Sequence, residues 1–113
     1  MDFSEVRNRS LLDVNKYIFL SLADSLLDRN LKEEHDALHK IFKEHLEFND
    51  EMVLFQGLKE AVNYLALEKK LTIVFLFNGF NEYLPFLTDE FFANLRILRN
   101  KAKYRFFRVY YSF

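Results

Sequence analysis

The stretch LTIVFLFNGFNEYLPF, residues 71–86, begins with seven apolar or β-branched residues and then changes to polar and turn-forming ones. The run LTIVFLF has no polar alternation and is rich in β-branched and aromatic side chains, which is typical of a strand buried on both faces. The pair Asn78-Gly79 also fits a tight hairpin turn between two strands. We reject that hairpin because FNEYLPF does not alternate and because Pro85 would interrupt a central strand. The stretch therefore predicts one buried strand over about 71–77.

A helix and a second strand are predicted to follow this strand. Thr88 is a favourable helix N-cap, and Asp89 and Glu90 place negative charge in the first turn. We therefore expect a helix over about 88–103, and the aromatic run RFFRVYY predicts a strand over about 105–111. A strand, a helix and a strand in this order form a βαβ unit, in which the two strands pair in parallel.

Three amphipathic helices are predicted before this unit, over about 10–28, 31–46 and 50–67. Ser10 begins the first with the capping-box-like sequence S-L-L-D. Asn30 is the candidate cap of the second helix, and Asn49 or Asp50 that of the third. Gly57 slightly weakens the prediction of the third helix. We expect the 113 residues to form a single α/β domain or a fragment of one.

The composition favours a helix-rich domain with a large core. Half of the residues are hydrophobic, and 14 Phe and 6 Tyr stand against 2 Gly and 1 Pro. The chain has no cysteine, which excludes a disulfide framework and thiolate chemistry. The first ten residues lack the apolar region of a signal peptide, and no uncharged apolar run approaches the ~20 residues that span a bilayer. We expect a cytoplasmic protein without a membrane segment.

The charges are distributed unevenly along the chain. Residues 1–90 hold all 17 acids and 10 of the 16 bases. The six remaining bases follow Glu90: Arg96, Arg99, Lys101, Lys103, Arg105 and Arg108. They could bind an anion such as nucleic acid, or they could complement the C-terminal end of a helix dipole. We favour the helix-dipole interpretation, because no Gly-rich or aromatic-interleaved motif accompanies the charges; nucleic-acid binding stays open.

The stretch LTIVFLFNGFNEYLPFLTDEFFANLRILRNKAKYRFFRVYYSF, residues 71–113, resembles the second half of a P-loop NTPase core. It is most similar to AAA-like and STAND-type ATPases, including the origin-recognition-like group. In these proteins a hydrophobic Walker B strand ends in Asp, and a helix and a strand with a polar sensor residue follow. The earlier segment RSLLDVNKYIFLSLADSLL resembles their helices between the second and third core strands. The resemblance implies an incomplete three-layer P-loop fold whose first strands would precede Met1.

The same resemblance implies where a nucleotide site would lie. The Walker B Asp of the family holds Mg²⁺ through water, and the next Glu orients the attacking water. These positions fall on Asn78 and Gly79 here, Glu82 is the nearest carboxylate, and the sensor falls on Ser112. No G-x-x-x-x-G-K-[ST] loop is present to hold phosphates. We therefore expect a truncated or degenerate ATPase-like domain without turnover, lacking the ATP and Mg²⁺ of its intact relatives.

Two short motifs of the sequence have other interpretations. An Asn-Gly pair can also simply end a strand and turn the chain, without being the remnant of a site. The sequence HDALH, residues 35–39, mimics the H-E-x-x-H zinc motif. Because His35, His39 and His45 project onto the same half of the helix as its apolar residues, we expect core-edge histidines bonded to neighbours and no metal site.

A two-stranded sheet would leave two edges open, and twenty aromatic side chains need cover. The alternative function is therefore a protein–protein interaction module that completes its sheet with another chain. We expect a protein partner or self-association through the strand at residues 105–113.

Overall fold

Helices make up most of the chain that the structure describes, which is residues 10–77, 89–103 and 107–111 of a computed structural model. The elements in chain order are α1 (Leu11–Asp28), α2 (Lys32–Leu46), α3 (Glu51–Asn63), a π-helical turn (Tyr64–Glu68), β1 (Ile73–Phe77), α4 (Asp89–Lys101) and β2 (Phe107–Tyr111). The strands β1 and β2 pair in parallel. The prediction of a helix-rich α/β chain with a two-stranded parallel βαβ unit is thereby confirmed.

Two of the predicted caps lie where helices begin. The Ser10 hydroxyl accepts a hydrogen bond from the backbone N–H of Asp13 at 3.2 Å, at the start of α1. The Asp50 carboxylate accepts from the N–H groups of Met52 and Val53 at 2.8 and 3.2 Å, at the start of α3. Each side chain satisfies N–H groups that have no partner within the helix.

The prediction that Asn30 caps α2 is wrong. Asn30 has a φ of 62° and instead closes α1: its N–H donates to Leu27, and the N–H of Leu31 donates to Leu26. This pair of bonds is a Schellman motif, in which asparagine is tolerated because it adopts the left-handed conformation more readily than most residues. α2 then begins after Leu31 without a side-chain cap.

The three N-terminal helices pack against one another, α3 also packs against α4, and α4 packs against β2. Edge-to-face aromatic contacts mark both parts of the core: Phe19 lies 5.2 Å from Phe42 between α1 and α2, and Phe75 lies 5.1 Å from Phe107 between the strands. The largest fully buried side chains are Phe19, Phe75, Phe77, Phe91, Ile18, Leu38, Leu54, Leu58, Leu65 and Leu98. One polar side chain, Asn15 of α1, is also buried, and its Nδ2 has no hydrogen-bond partner among the residues described.

The prediction that the first strand is buried on both faces is wrong. Ile73, Phe75 and Phe77 are buried, whereas Val74 and Leu76 are 49% and 52% exposed. Successive residues of a strand lie on opposite faces, so the sheet has one covered and one open face. β1 is also shorter than predicted, because Leu71 and Thr72 precede the paired segment.

Candidate functional site

The nucleotide-site remnants expected from the sequence all lie outside the described residues. These are Asn78, Gly79, Glu82 and Ser112. β1 ends at Phe77, immediately before the first of them. Their roles stay predictions.

The motif at residues 35–39 forms part of an open depression on α2. The rings of His35 and His39 lie 5.7 Å apart, and His35 Nδ1 is 3.2 Å from Asp36 Oδ1. Lys40 and Lys43 line the same depression together with the carboxylates of Asp36 and Glu44, so its formal charges balance. Within residues 10–77, 89–103 and 107–111 no three potential ligands come close enough to hold a metal ion.

His45 contacts its neighbours in a half-buried position between α2 and α3. Its Nδ1 lies 2.7 Å from the carbonyl oxygen of Ile41. Because a carbonyl only accepts, Nδ1 carries the proton. Its Nε2 faces Glu60 Oε1 at 3.7 Å. The ring lies against Gly57, where a Cβ atom would come within 2.8 Å of the histidine Cγ. This glycine therefore permits the close approach of the two helices.

The uncovered side of the sheet, which we call the open sheet face, consists of Val74, Leu76, Arg108 and Tyr110. Val74 pairs with Arg108 and Leu76 pairs with Tyr110 in the parallel register. Val74, Leu76 and Tyr110 are 49%, 52% and 55% exposed. Three of the four side chains are therefore large, apolar or aromatic, and about half accessible to solvent. A shallow groove beside this face is bordered by Ser21 and Ser25 of α1.

A second feature, which we call the α4–β2 groove, lies between the last helix and the last strand and has a volume of about 500 Å³. Its described lining residues are Phe92, Leu95, Arg96, Arg99, Phe107, Arg108, Val109 and Tyr111. None of them belongs to β1, and none carries a carboxylate. The described part of the groove therefore lies along α4 and β2 and contains three guanidinium groups.

The position of the Arg108 guanidinium and the protonation of the Tyr111 phenol both follow from their surroundings in the groove. Arg108 Nη1 donates to the carbonyl oxygen of Phe107 at 3.3 Å, so its guanidinium lies against the backbone of β2. Partial burial raises the pKa of the Tyr111 phenol above its ordinary value, so this hydroxyl is neutral at physiological pH.

The structure separates the six C-terminal bases that the sequence shows as one cluster. Arg96 and Arg99 converge with Arg108 on the α4–β2 groove. Lys101 and Lys103 line other depressions, near Asn63 of α3, and Arg105 lies outside the described residues. The absence of acids after Glu90 is the one sequence signal that points to this groove.

Neither a family model, nor a curated protein, nor a solved structure matches this chain. The fold defines its class coarsely, as a helix-rich α/β protein with a small parallel sheet. None of the helices described is both long and apolar enough to cross a membrane.

Proposed function

We propose that this chain is a protein-interaction module whose two-stranded sheet is completed by another protein chain. The observation that carries the proposal is the open sheet face. Parallel sheets are normally covered on both faces, yet Val74, Leu76 and Tyr110 are 49%, 52% and 55% exposed. Apolar surface of this kind on a strand pair is where a partner gains most by binding.

The free energy that a partner gains by covering this face can be judged from the apolar surface that it buries. Full burial of a large apolar side chain is worth about 1.5–3 kcal/mol, so covering the exposed half of these three side chains would contribute roughly 3 kcal/mol. That is too little for a stable complex, because a specific interface covers about 800 Å² on each partner. The contact must therefore extend from the open sheet face onto a sheet edge.

The test is site-specific photo-crosslinking in the cell that makes the protein. A photoreactive phenylalanine analogue at Tyr110 reports on the open sheet face, and one at Phe48, which is 66% exposed after α2, is the matched control. We expect a discrete crosslinked product from Tyr110 that is absent from Phe48 and is lost with Leu76→Asp. The same products from both positions, or no product from either, would refute the proposal. We expect this contact to occur in the cytoplasm, as the composition suggests.

The resemblance to P-loop ATPases supports a second candidate, a degenerate ATPase-like domain without turnover. The observation in its favour is the parallel β1–α4–β2 order, which is compatible with the second half of such a core. Purified protein with ATP and Mg²⁺ should release no phosphate above the buffer rate. Hydrolysis that disappears with Glu82→Gln would contradict this candidate. The two candidates are compatible, because a domain without turnover can still bind another chain through its open sheet face.

A further inference from the structure

We infer that His35 and His39 bind a divalent transition-metal ion, such as Zn²⁺ or Cu²⁺, in a two-histidine site on the surface of α2. The two residues are four positions apart in one helix, so their side chains lie one above the other on the same side. Imidazole nitrogen is a preferred protein ligand of both ions. The site is independent of the proposed function, because it lies on α2 and involves no residue of the sheet.

The distance between the two rings suits a shared ion. Their centroids lie 5.7 Å apart, and their planes are inclined by 41°. Two imidazoles bound to one ion through bonds of about 2.0–2.1 Å would have their centroids roughly 5 Å apart. A small rotation of the two side chains is therefore enough to close the site. Water would complete the coordination shell, because no third protein ligand lies close enough among the described residues.

The contact between His35 and Asp36 prepares one of the rings for binding. Nδ1 of His35 lies 3.2 Å from Oδ1 of Asp36. Because a carboxylate only accepts hydrogen bonds, Nδ1 carries the proton and Nε2 is the nitrogen that can bind an ion. A carboxylate on the far nitrogen is the usual partner of a metal-binding histidine, since it fixes the orientation of the ring. His45 differs, because its ring is held at the carbonyl oxygen of Ile41 between α2 and α3.

The surroundings of the pair admit a hydrated cation. The two rings line an open depression of about 480 Å³, which has room for an ion and several waters. Its two lysines are balanced by the carboxylates of Asp36 and Glu44, so no net positive charge opposes a cation. Nitrogen ligands select transition-metal ions over Mg²⁺ and Ca²⁺, which prefer oxygen ligands.

A bound ion would fasten the start of α2. This helix begins after Leu31 without a side-chain cap, and the two histidines lie in its first and second turns. An ion shared by successive turns binds the helix more tightly than the unfolded chain, in which the two rings are not held together. The protein should therefore become more stable as the free metal concentration rises.

The experiment titrates the untagged full chain with Zn²⁺, Cu²⁺ and Mg²⁺ by isothermal titration calorimetry. Half of the free energy of a four-ligand zinc site corresponds to a Kd of roughly 1–200 μM. We expect one Zn²⁺ per chain to bind in this range, Cu²⁺ to bind more tightly, and Mg²⁺ not to bind. His39→Asn should weaken Zn²⁺ binding at least about tenfold, since it removes one of two ligands. His45→Asn, the matched control, should change it less than about twofold.

A spacing variant and two further measurements test the geometry of the site. His39→Asn/Lys43→His keeps three histidines but moves the second ring about 12 Å from His35 along the helix axis, so it should bind as weakly as His39→Asn. In proton–nitrogen spectra of the parent chain, Zn²⁺ should shift the Nε2 resonance of His35 and the ring resonances of His39, and leave those of His45 in place. Zn²⁺ should also raise the melting temperature of the parent chain but not that of His39→Asn.

Each other outcome overturns the inference. Equal binding of Mg²⁺ would show a general attraction of cations to the carboxylates of the depression. Binding that survives in His39→Asn or in the spacing variant, or shifts of His45 alone, would place the ion elsewhere. A Kd for Zn²⁺ weaker than about 200 μM would show an adventitious ion only. The spectra are recorded on the parent chain, so the test holds even if a variant fails to fold.

Discussion

Replacing Gly57 by alanine should destabilise the protein, although the same change inside most helices is stabilising. The reason is the ring of His45, which lies where the new methyl group would go. An added Cβ would come within 2.8 Å of the histidine Cγ, 3.0 Å of its Nδ1 and 3.2 Å of its Cβ. The ring is poorly able to move, because Nδ1 is held by the carbonyl oxygen of Ile41 at 2.7 Å.

The magnitude follows from two opposing effects. Alanine in place of glycine gains up to ~1 kcal/mol of helix propensity. Overpacking a tight contact costs about 1–3 kcal/mol, and breaking the hydrogen bond from His45 to Ile41 costs about 1 kcal/mol more. We therefore expect Gly57→Ala to lower the free energy of unfolding by roughly 1–3 kcal/mol. In a His45→Ala background only a 3.2 Å approach of two Cβ atoms remains, so the same change should be neutral or stabilising.

Urea denaturation followed by circular dichroism at 222 nm measures the free energy of unfolding of four proteins: the parent chain, Gly57→Ala, His45→Ala and the variant with both changes. Together they form a double-mutant cycle. The coupling free energy between the two positions should be about 2 kcal/mol. A coupling below about 0.5 kcal/mol, with Gly57→Ala stabilising in the parent chain, would refute the close approach of α2 and α3 at this point. Equal slopes of the four unfolding curves show that the substitutions act on the folded state.

Three further predictions test other parts of the fold. Asn15→Leu should raise the free energy of unfolding by about 1 kcal/mol, because it removes a buried Nδ2 that has no partner among the described residues, and a loss of stability would contradict this. Lys103→Gly should stabilise by about 0.5–1 kcal/mol, because residue 103 has a φ of 56°, whereas Lys43→Gly within α2 should destabilise by about 1 kcal/mol. Burial raises the pKa of Tyr111 above its value in the unfolded chain. The contribution of the neutral phenol to the free energy of unfolding is therefore present below pH ~10 and is lost as the pH rises through the folded-state pKa. Tyr111→Phe should therefore flatten the alkaline fall of the melting temperature; an unchanged slope would refute this.

Local chemistry explains which parts of the fold were predictable from sequence. Ser10 and Asp50 each stand before an apolar-periodic run, and each caps a helix. The change of period at residues 71–77 located β1. Asn30 was misassigned because asparagine suits both a helix N-cap and the left-handed position that closes a preceding helix. Only the hydrogen bonds to Leu26 and Leu27 distinguish these two roles.

Tertiary placement explains the rest. An apolar run of five to seven residues looks the same whether one face or both are covered, so the exposure of Val74 and Leu76 could not be predicted. The α4–β2 groove brings Arg96 and Arg99 to Arg108 only because the chain crosses over between parallel strands. The spacing of these bases in the sequence does not show that the three arginines line one groove while Lys101 and Lys103 lie elsewhere.

The parallel pairing of β1 and β2 also sets a timing for folding during synthesis. Phe107 is the register partner of Ile73, so all of α4 must be made before β1 can pair with β2. At a synthesis rate of about 5–20 residues per second, β1 waits on the order of 2–7 s after it is made. Helices α1 to α3 need only local contacts and can form meanwhile, within microseconds to milliseconds. The nascent chain thus carries an unpaired apolar strand for seconds beside helices that can already form, and such a strand is prone to aggregation until β2 pairs with it.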